Sequence, residues 1–377
     1  MDNFSFIKCP CCYGGEHFRD NLQICKQEDF FICLECGVMG DTNKLILLES
    51  KAPLQNFKAN QAAQQVFLKQ KSDKFYSYIN HRGLNEERIK RFCLSYASND
   101  KNLLSLAKEN KMLFELFENN HLINARNPDN VYETFRGRLM FPIKNHIGLI
   151  AGFGGRTLND EATPKYLNSQ QSATFNKSEI LYGLYENKPY IQEKDEAYVF
   201  EGYMDVVSCA SKGVNNCVAT MGIAISKKQL FNLSRVTNNA TFIYDGDTAG
   251  RKAMRSALMS VIAHHPSPAS TCYSFLPEGV DPDDLVKTSP GLFLHTVDKN
   301  KITFHEFLSI IFEENLASGI SNEETNTLLE KELKKNQYIK AKANLISILC
   351  DREYKDRKHN ITIENDDNNE LIHRIGG

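Results

Sequence analysis

Between residues 197 and 277 short apolar runs alternate with helical stretches, and acids follow three of the four runs, an order that few folds accommodate. Ala197-Tyr198-Val199-Phe200, Cys217 to Thr220, Thr241 to Tyr244 and Thr271 to Leu276 read as strands. Helices are predicted over 203–212, 226–235 and 249–263, the second opened by Ser226 as an N-cap. Strands alternating with helices predict a parallel sheet with helices on its faces. Ligands of such sheets bind at the carboxyl edge of the strands. That edge is where Glu201, Asp245, Asp247, Asp281, Asp283 and Asp284 fall, with Gly246 relieving a crowded turn. Carboxylates converging in this number repel one another unless cations are present. Mg²⁺ or Mn²⁺ meets that need, because these hard ions take oxygen ligands and bridge to phosphates. The predicted chemistry is metal-assisted phosphoryl transfer. Any one of the acids alone reads as a helix cap or a solvated turn; the set at successive strand ends does not.

Six of the eleven cysteines precede residue 40. Cys9 and Cys12 form one C-x2-C pair, Cys33 and Cys36 a second, and the stretches Asn21 to Cys25 and Asp29 to Cys33 between them suit a hairpin. Two such knuckles supply four thiolates in the tetrahedron that Zn²⁺ prefers, so residues 1–50 are expected to form a zinc ribbon. Cys11, Cys25 and His17 remain alternatives, since spacing alone selects the four. A unit so small needs its metal to fold.

The net charge of −2 excludes a uniformly basic coat protein, yet residues 51–150 carry sixteen Lys and Arg against nine Asp and Glu. A basic segment beside an acidic one suits a polyanion groove next to a cation site, although a solvated helical surface has the same composition. Lys51 to Asn60, with Pro53, reads as a linker, and Asn60 to Asn130 as helical, with Asn85 opening one helix. Strand periodicity returns at Arg136 to Ile143 and at Ile147 to Arg156, the second ending in a glycine-rich turn. A glycine cluster alone is a weak phosphate-loop signal. Arg156, Lys165, Tyr166, Asn168 and Lys177 add the cations, aromatic face and amide that a single strand or a triphosphate requires. No G-x4-G-K-[ST] motor motif occurs.

Taken together, these motifs resemble the bacterial DnaG-type DNA primases. Glu201-Gly202-Tyr203-Met204-Asp205-Val206, Tyr244-Asp245-Gly246-Asp247 with Ala249-Gly250-Arg251, and Leu276-Pro277 through Asp281-Pro282-Asp283 match the three acidic motifs of the family's TOPRIM core. Upstream, Phe135 to Ile143, Gly152 to Arg156, Pro164 to Ser169 and Leu181 to Leu184 match its basic polymerase subdomain in the same order, and Arg82-Gly83-Leu84 fits as well. The resemblance implies that Glu201, Asp245 and Asp247 bind catalytic Mg²⁺ or Mn²⁺, with Asp205, Asp281 and Asp283 assisting. It implies that Arg136, Arg138, Arg156, Lys165 and Tyr166 hold template or incoming nucleotide. The family's ribbon usually has three Cys and one His; Cys12 stands at the odd position here.

The expected fold is α/β within a mixed α+β whole: a zinc ribbon over 1–50, a linker over 51–59, a basic subdomain over 60–190, a TOPRIM-type parallel core over 191–290 and a helical C-terminal segment over 291–377. The resemblance implies DNA-templated synthesis of RNA primers from ribonucleoside triphosphates, with an RNA–DNA hybrid as product and a replicative helicase as partner. The family's helicase-interaction domain is expected to be missing or reduced here, as would suit a phage or other mobile element. With no signal-like start and no run of the roughly 18 apolar residues a membrane helix needs, a cytoplasmic location is expected, the host's if phage-encoded. The competing readings are a TOPRIM topoisomerase or nuclease, and a DNA-binding module with vestigial acids.

Overall fold

A computed structural model of the chain describes residues 4–7, 9, 22–25, 30–34, 37–40, 52–146, 148–159 and 163–336. The chain divides into two units, residues 1–176 and 177–377. In the first, β1 (Phe4–Ile7), β2 (Leu22–Cys25), β3 (Phe30–Cys33) and β4 (Met39–Gly40) form an antiparallel sheet in that order. The expected hairpin is β2 paired with β3, Leu22 opposite Cys33 and Cys25 opposite Phe30. Cys9, Cys25 and Cys33 are buried. Cys11, Cys12, His17 and Cys36 lie outside the described residues, so four-thiolate ligation remains an expectation for this segment.

The helices α1 (Ala52–Lys69), α2 (Asp73–His81), α3 (Glu86–Arg91), α4 (Asn102–Ala107) and α5 (Lys111–Asn119) accompany a second sheet. Its strands run in the order β10 (Tyr166–Asn168), β9 (Ile150–Thr157), β8 (Arg138–Lys144) and β5 (Ser95–Ala97), all antiparallel; β6 (Ile123–Asn124) and β7 (Tyr132–Glu133) pair separately. Residues 52–59, read from the sequence as linker, are the first turns of α1. Pro53 fits there because amides in the first helical turn have no intrahelical acceptor to lose. Asn85 does cap α3, its side chain accepting the Arg88 amide at 2.9 Å. Ala63, Phe67, Phe117, Phe135, Met140 and Phe153 build the core of this unit.

The expected glycine-rich turn is a correction: Gly152, Gly154 and Gly155 lie inside β9, opposite Ile143, Phe141 and Met140. A Cβ at Gly152 would stand 2.9 Å from the Phe175 ring, and one at Gly155 2.8 Å from Phe135. The glycines permit close side-chain packing across the sheet; they form no phosphate loop.

In the second unit α6 (Leu184–Lys194) precedes β11 (Ala197–Phe200), α7 (Tyr203–Ser211), β12 (Cys217–Ala219), α8 (Lys227–Ser234), β13 (Ala240–Tyr244), α9 (Thr248–His264) and β14 (Thr271–Phe275). From β11 to β14 these agree with the sequence-derived boundaries to within a residue or two, whereas α6 was not foreseen, and Ser226 caps α8 in a capping box with Gln229. The sheet order is β12-β11-β13-β14-β15, with β15 (Lys301–Thr303) antiparallel at one edge. The three-residue β15 carried no alternation that sequence reading could use. After β14 come α10 (Pro282–Thr288), α11 (Pro290–Lys299), α12 (Phe304–Ala317) and α13 (Asn322–Lys334). Val199, Phe242, Met254, Leu258, Tyr273 and Phe307 belong to one continuous core. Residues 177–190 pack here, where Gln229 donates to the Lys177 and Ile180 carbonyls at 3.1 and 2.9 Å. No helix among the described residues is long and apolar enough to cross a membrane.

His265, at the end of α9, is fully buried, and burial lowers its pKa from 6.5 to about 4. The unfolded chain therefore binds a proton that the native state refuses between these values, so stability falls as pH drops from 6.5 to 4. This single group accounts for at most roughly 3 kcal/mol of that fall. We expect His265→Gln to flatten the urea-denaturation free energy across this range relative to the parent. An unchanged slope would count against the buried neutral imidazole.

Candidate active site

Strands β11 and β13 are adjacent and in register from Ala197–Ala240 to Val199–Phe242, so the residues that follow them emerge side by side. Those residues are Glu201 and Asp245. Asp247 caps α9, its carboxylate accepting the Gly250 amide at 2.7 Å. Beyond β14 the chain turns at Gly279, φ +75°, and Asp281 caps α10 by accepting the Asp284 amide at 2.8 Å. Asp205 lies in the first turn of α7 and accepts from the Gly202 amide. Several of these acids thus cap helices as well, the ordinary role each has when taken singly.

Taken together they do more. Glu201 is pushed above the usual carboxylate range by burial, then by Asp245 and Asp247. Asp245 is raised by burial, then by Asp281 and Asp247. Asp205 is raised well above that range by burial, then by Asp281, Asp283 and Asp245. Among the described residues, every charged group acting on these three carboxyls is another acid. The structure therefore brings Glu201, Asp205, Asp245, Asp247, Asp281 and Asp283 to one edge, with Asp245 and Asp205 linking the Glu201 end to the Asp281 end. The carboxylates of Asp281, Asp283 and Asp284 come within 4.8 Å of one another. A crowded, all-oxygen donor set with surplus negative charge fits a hard divalent cation.

Asp283 differs from the others. It is 3% exposed, accepts a hydrogen bond from the Ser208 hydroxyl and pairs with Lys287, which also approaches Asp284. Ser208 was not visible as a site residue in sequence, because it meets Asp283 through the packing of α7 against α10; Lys287 stands four residues after Asp283 on α10, a helical spacing that could have shown it. Two glycines let the edge close. A Cβ on Gly246 would stand 2.1 Å from the Leu276 carbonyl oxygen, and one on Gly250 2.1 Å from that of Asp245. Arg251 donates to the Gly246 carbonyl at 2.7 Å, bracing the same turn.

In the first unit the basic residues gather at one end of the β8-β9-β10 sheet. Arg156 lies opposite both Leu139 and Tyr166, and Arg138 opposite Thr157. Arg136 is exposed, with its guanidinium 4.7 Å from the Tyr132 ring, and Lys165 is exposed. Arg138 is 7% exposed and donates to the carbonyls of Gly155, Pro164 and Lys165 at 2.9 to 3.3 Å, so it frames the loop that presents Lys165. Arg156 is buried too, stacked near Tyr166 and donating to its hydroxyl at 3.0 Å. The Asn168 amide oxygen is buried with no hydrogen-bond partner among the described residues. Lys177 lies in the second unit, half-buried, with its pKa lowered by burial.

A parallel sheet with metal-suited carboxylates at its carboxyl edge defines a Toprim-type protein, and a Toprim-like family model matches residues 198–286. The model of the DNA primase catalytic core, N-terminal domain, matches residues 63–188. The DNA primase of Aquifex aeolicus is 33% identical over 310 residues, which cover 72% of this chain and 61% of that protein. That of Pseudomonas aeruginosa is 41% identical over 213 residues, 56% of this chain and 32% of that protein. A DnaG primase catalytic domain solved bound to single-stranded DNA superposes with a TM-score of 0.70 at 30% identity, covering 80% of this chain and 96% of that one. A primase domain from Pseudomonas aeruginosa gives 0.68 at 32% identity, covering 78% and 94%. The chain belongs to the DnaG-type DNA primase catalytic-core family. It spans about three fifths of the Aquifex protein's length and about one third of the Pseudomonas protein's.

Proposed function

We propose that this chain is a primase that joins ribonucleoside triphosphates into short RNA primers on a single-stranded DNA template, leaving an RNA–DNA hybrid. The observation that carries the reading is the set of acids at the strand ends, raised by burial and then by one another, with no cation among the described residues acting on Glu201, Asp205 or Asp245. Glu201, Asp245 and Asp247 would hold Mg²⁺ or Mn²⁺, with Asp205 and Asp281 completing the donor set. Such an ion lowers the pKa of an attacking hydroxyl and neutralises triphosphate charge. The chain's own groups then have bounded tasks. Lys287 and Ser208 hold the Asp283 carboxylate in place. Arg136 and Lys165 bind phosphates, and Tyr166 offers an exposed ring to a base. No side-chain nucleophile is required, since the reacting hydroxyl belongs to the primer.

Zinc at Cys9, Cys12, Cys33 and Cys36, a cytoplasmic site of action and a replicative helicase as partner belong to the same proposal. Incubating the protein with single-stranded templates of varied trinucleotide content and labelled ribonucleotides tests it. Primers should form with Mg²⁺ or Mn²⁺ and vanish with EDTA, and supercoiled DNA should be neither relaxed nor nicked. Template-independent activity, or cleavage in place of synthesis, would replace this reading with the nuclease or topoisomerase one.

A further inference from the structure

Tyr78 sits on α2 as part of no motif that the function uses, yet two arginines converge on it. The Arg82 guanidinium is 5.4 Å from its ring centroid and donates from Nε to its hydroxyl at 3.0 Å. The Arg156 guanidinium, arriving from β9, is 5.2 Å from the same ring. Arg156 is in turn 5.3 Å from the Tyr166 ring and donates to that hydroxyl. Arg156 is 5% exposed whereas Tyr166 is 39% exposed, so the buried guanidinium lies against two rings, of which Tyr166 is the more open to solvent and Tyr78 is half-buried. Two like charges drawn to one ring repel, and the electron-rich ring face offsets part of that repulsion.

We propose that Tyr78 is a positioning residue: it holds Arg82 and Arg156 in a preformed array that fixes the Tyr166 ring as a stacking platform for single-stranded nucleic acid. The inference rests on the template-binding role proposed above for this sheet. Aromatic stacking with flanking cations is the chemistry that recognises bases and phosphates of a single strand without reading sequence. Rings and guanidiniums already in place are ordered before the ligand arrives, which lowers the entropy lost on binding.

The test uses the full chain and a short fluorescein-labelled oligothymidine, with Kd measured by anisotropy over a range of salt. Tyr78→Leu removes ring and hydroxyl, and we expect about a tenfold weaker Kd, the order of a lost stack. The loss should shrink on an abasic oligonucleotide of equal length, where there is no base to stack. Tyr78→Phe keeps the ring and removes only the acceptor for Arg82. It should weaken binding about threefold in the parent, the size of a modest net hydrogen bond, and not at all in an Arg82→Ala background. A Tyr78→Leu variant that binds as the parent does, or loses equally on both oligonucleotides, overturns the proposal. So does a Tyr78→Phe effect that persists in full without Arg82. A parent that fails to bind oligothymidine overturns the template-binding reading itself, a result distinguishable from variants that match a binding parent.

Discussion

Asp245→Asn should lower primer synthesis by roughly 10³-fold or more, the scale of losing a metal-held charge at a phosphoryl-transfer centre, while the metal-free variant melts at a higher temperature than the parent. The two effects have one origin. Asp245 is raised by burial, by Asp281 and by Asp247, and itself raises Glu201 and Asp205. Carboxyls with raised native pKa values retain protons that the unfolded chain has released, so their contribution to stability is present at low pH and lost as pH rises through the raised values. The metal-free parent should therefore lose stability as pH rises from about 4 through the raised native pKa values, and Asn at 245 should make that loss shallower. Mg²⁺ or Mn²⁺ should raise the parent's melting temperature at neutral pH more than the variant's, because it binds the native acid set. Thermal melts with and without EDTA, beside primer assays, read both effects. A folded Asp245→Asn enzyme that still joins nucleotides at the parent's rate would end the assignment.

Gly246→Ala and Gly250→Ala should each destabilise the second unit by about 3 kcal/mol or more, the upper range for a methyl forced into packed backbone. At both positions the added carbon would stand 2.1 Å from a carbonyl oxygen, Leu276 in one case and Asp245 in the other. Neither obstacle is a flexible side chain that can turn aside. Relief requires β13 and β14 to separate at their ends, or α9 to lift from the Asp245 peptide, and either movement spreads the acids. Gly291→Ala is the control: its Cβ meets only the Ser289 hydroxyl at 3.6 Å, and it lies in α11. There alanine should be neutral or stabilise by up to about 1 kcal/mol. Denaturant midpoints separate the cases; equal stability for all three variants would show that the Gly246 turn tolerates a side chain.

The second unit was largely legible because its signals are local. Each of β11 to β14 is a short apolar run bounded by turn residues, and Ser226 with Gln229 forms the capping box that its own tetrapeptide encodes. Glu201 and Asp245 could be placed together without coordinates, since parallel neighbours must end on the same edge. The first unit was less legible. Gly152, Gly154 and Gly155 look like a loop in sequence, and only Phe135 and Phe175 pressing on two of them show why a strand contains them. Pro53 suggested a linker where it opens a helix. Arg138 and Arg156 were chosen from motif resemblance and, for Arg156, from the cations, ring and amide that follow it, and neither signal tells that both guanidinium-bearing residues are buried.

The sequence by itself determined the acid set, its order along the chain and the parallel sheet that collects it, because periodicity and strand-end position are properties of neighbouring residues. Only the tertiary structure decided which charges face outward and which are held inside. Ser208 on Asp283, and Arg156 against the Tyr78 ring, are meetings of residues far apart in sequence and on different elements, whereas Lys287 and Arg82 each stand only four residues from the group they hold. A side chain's charge is written in its residue type, but its desolvation and its partners depend on what packing brings within a few ångströms.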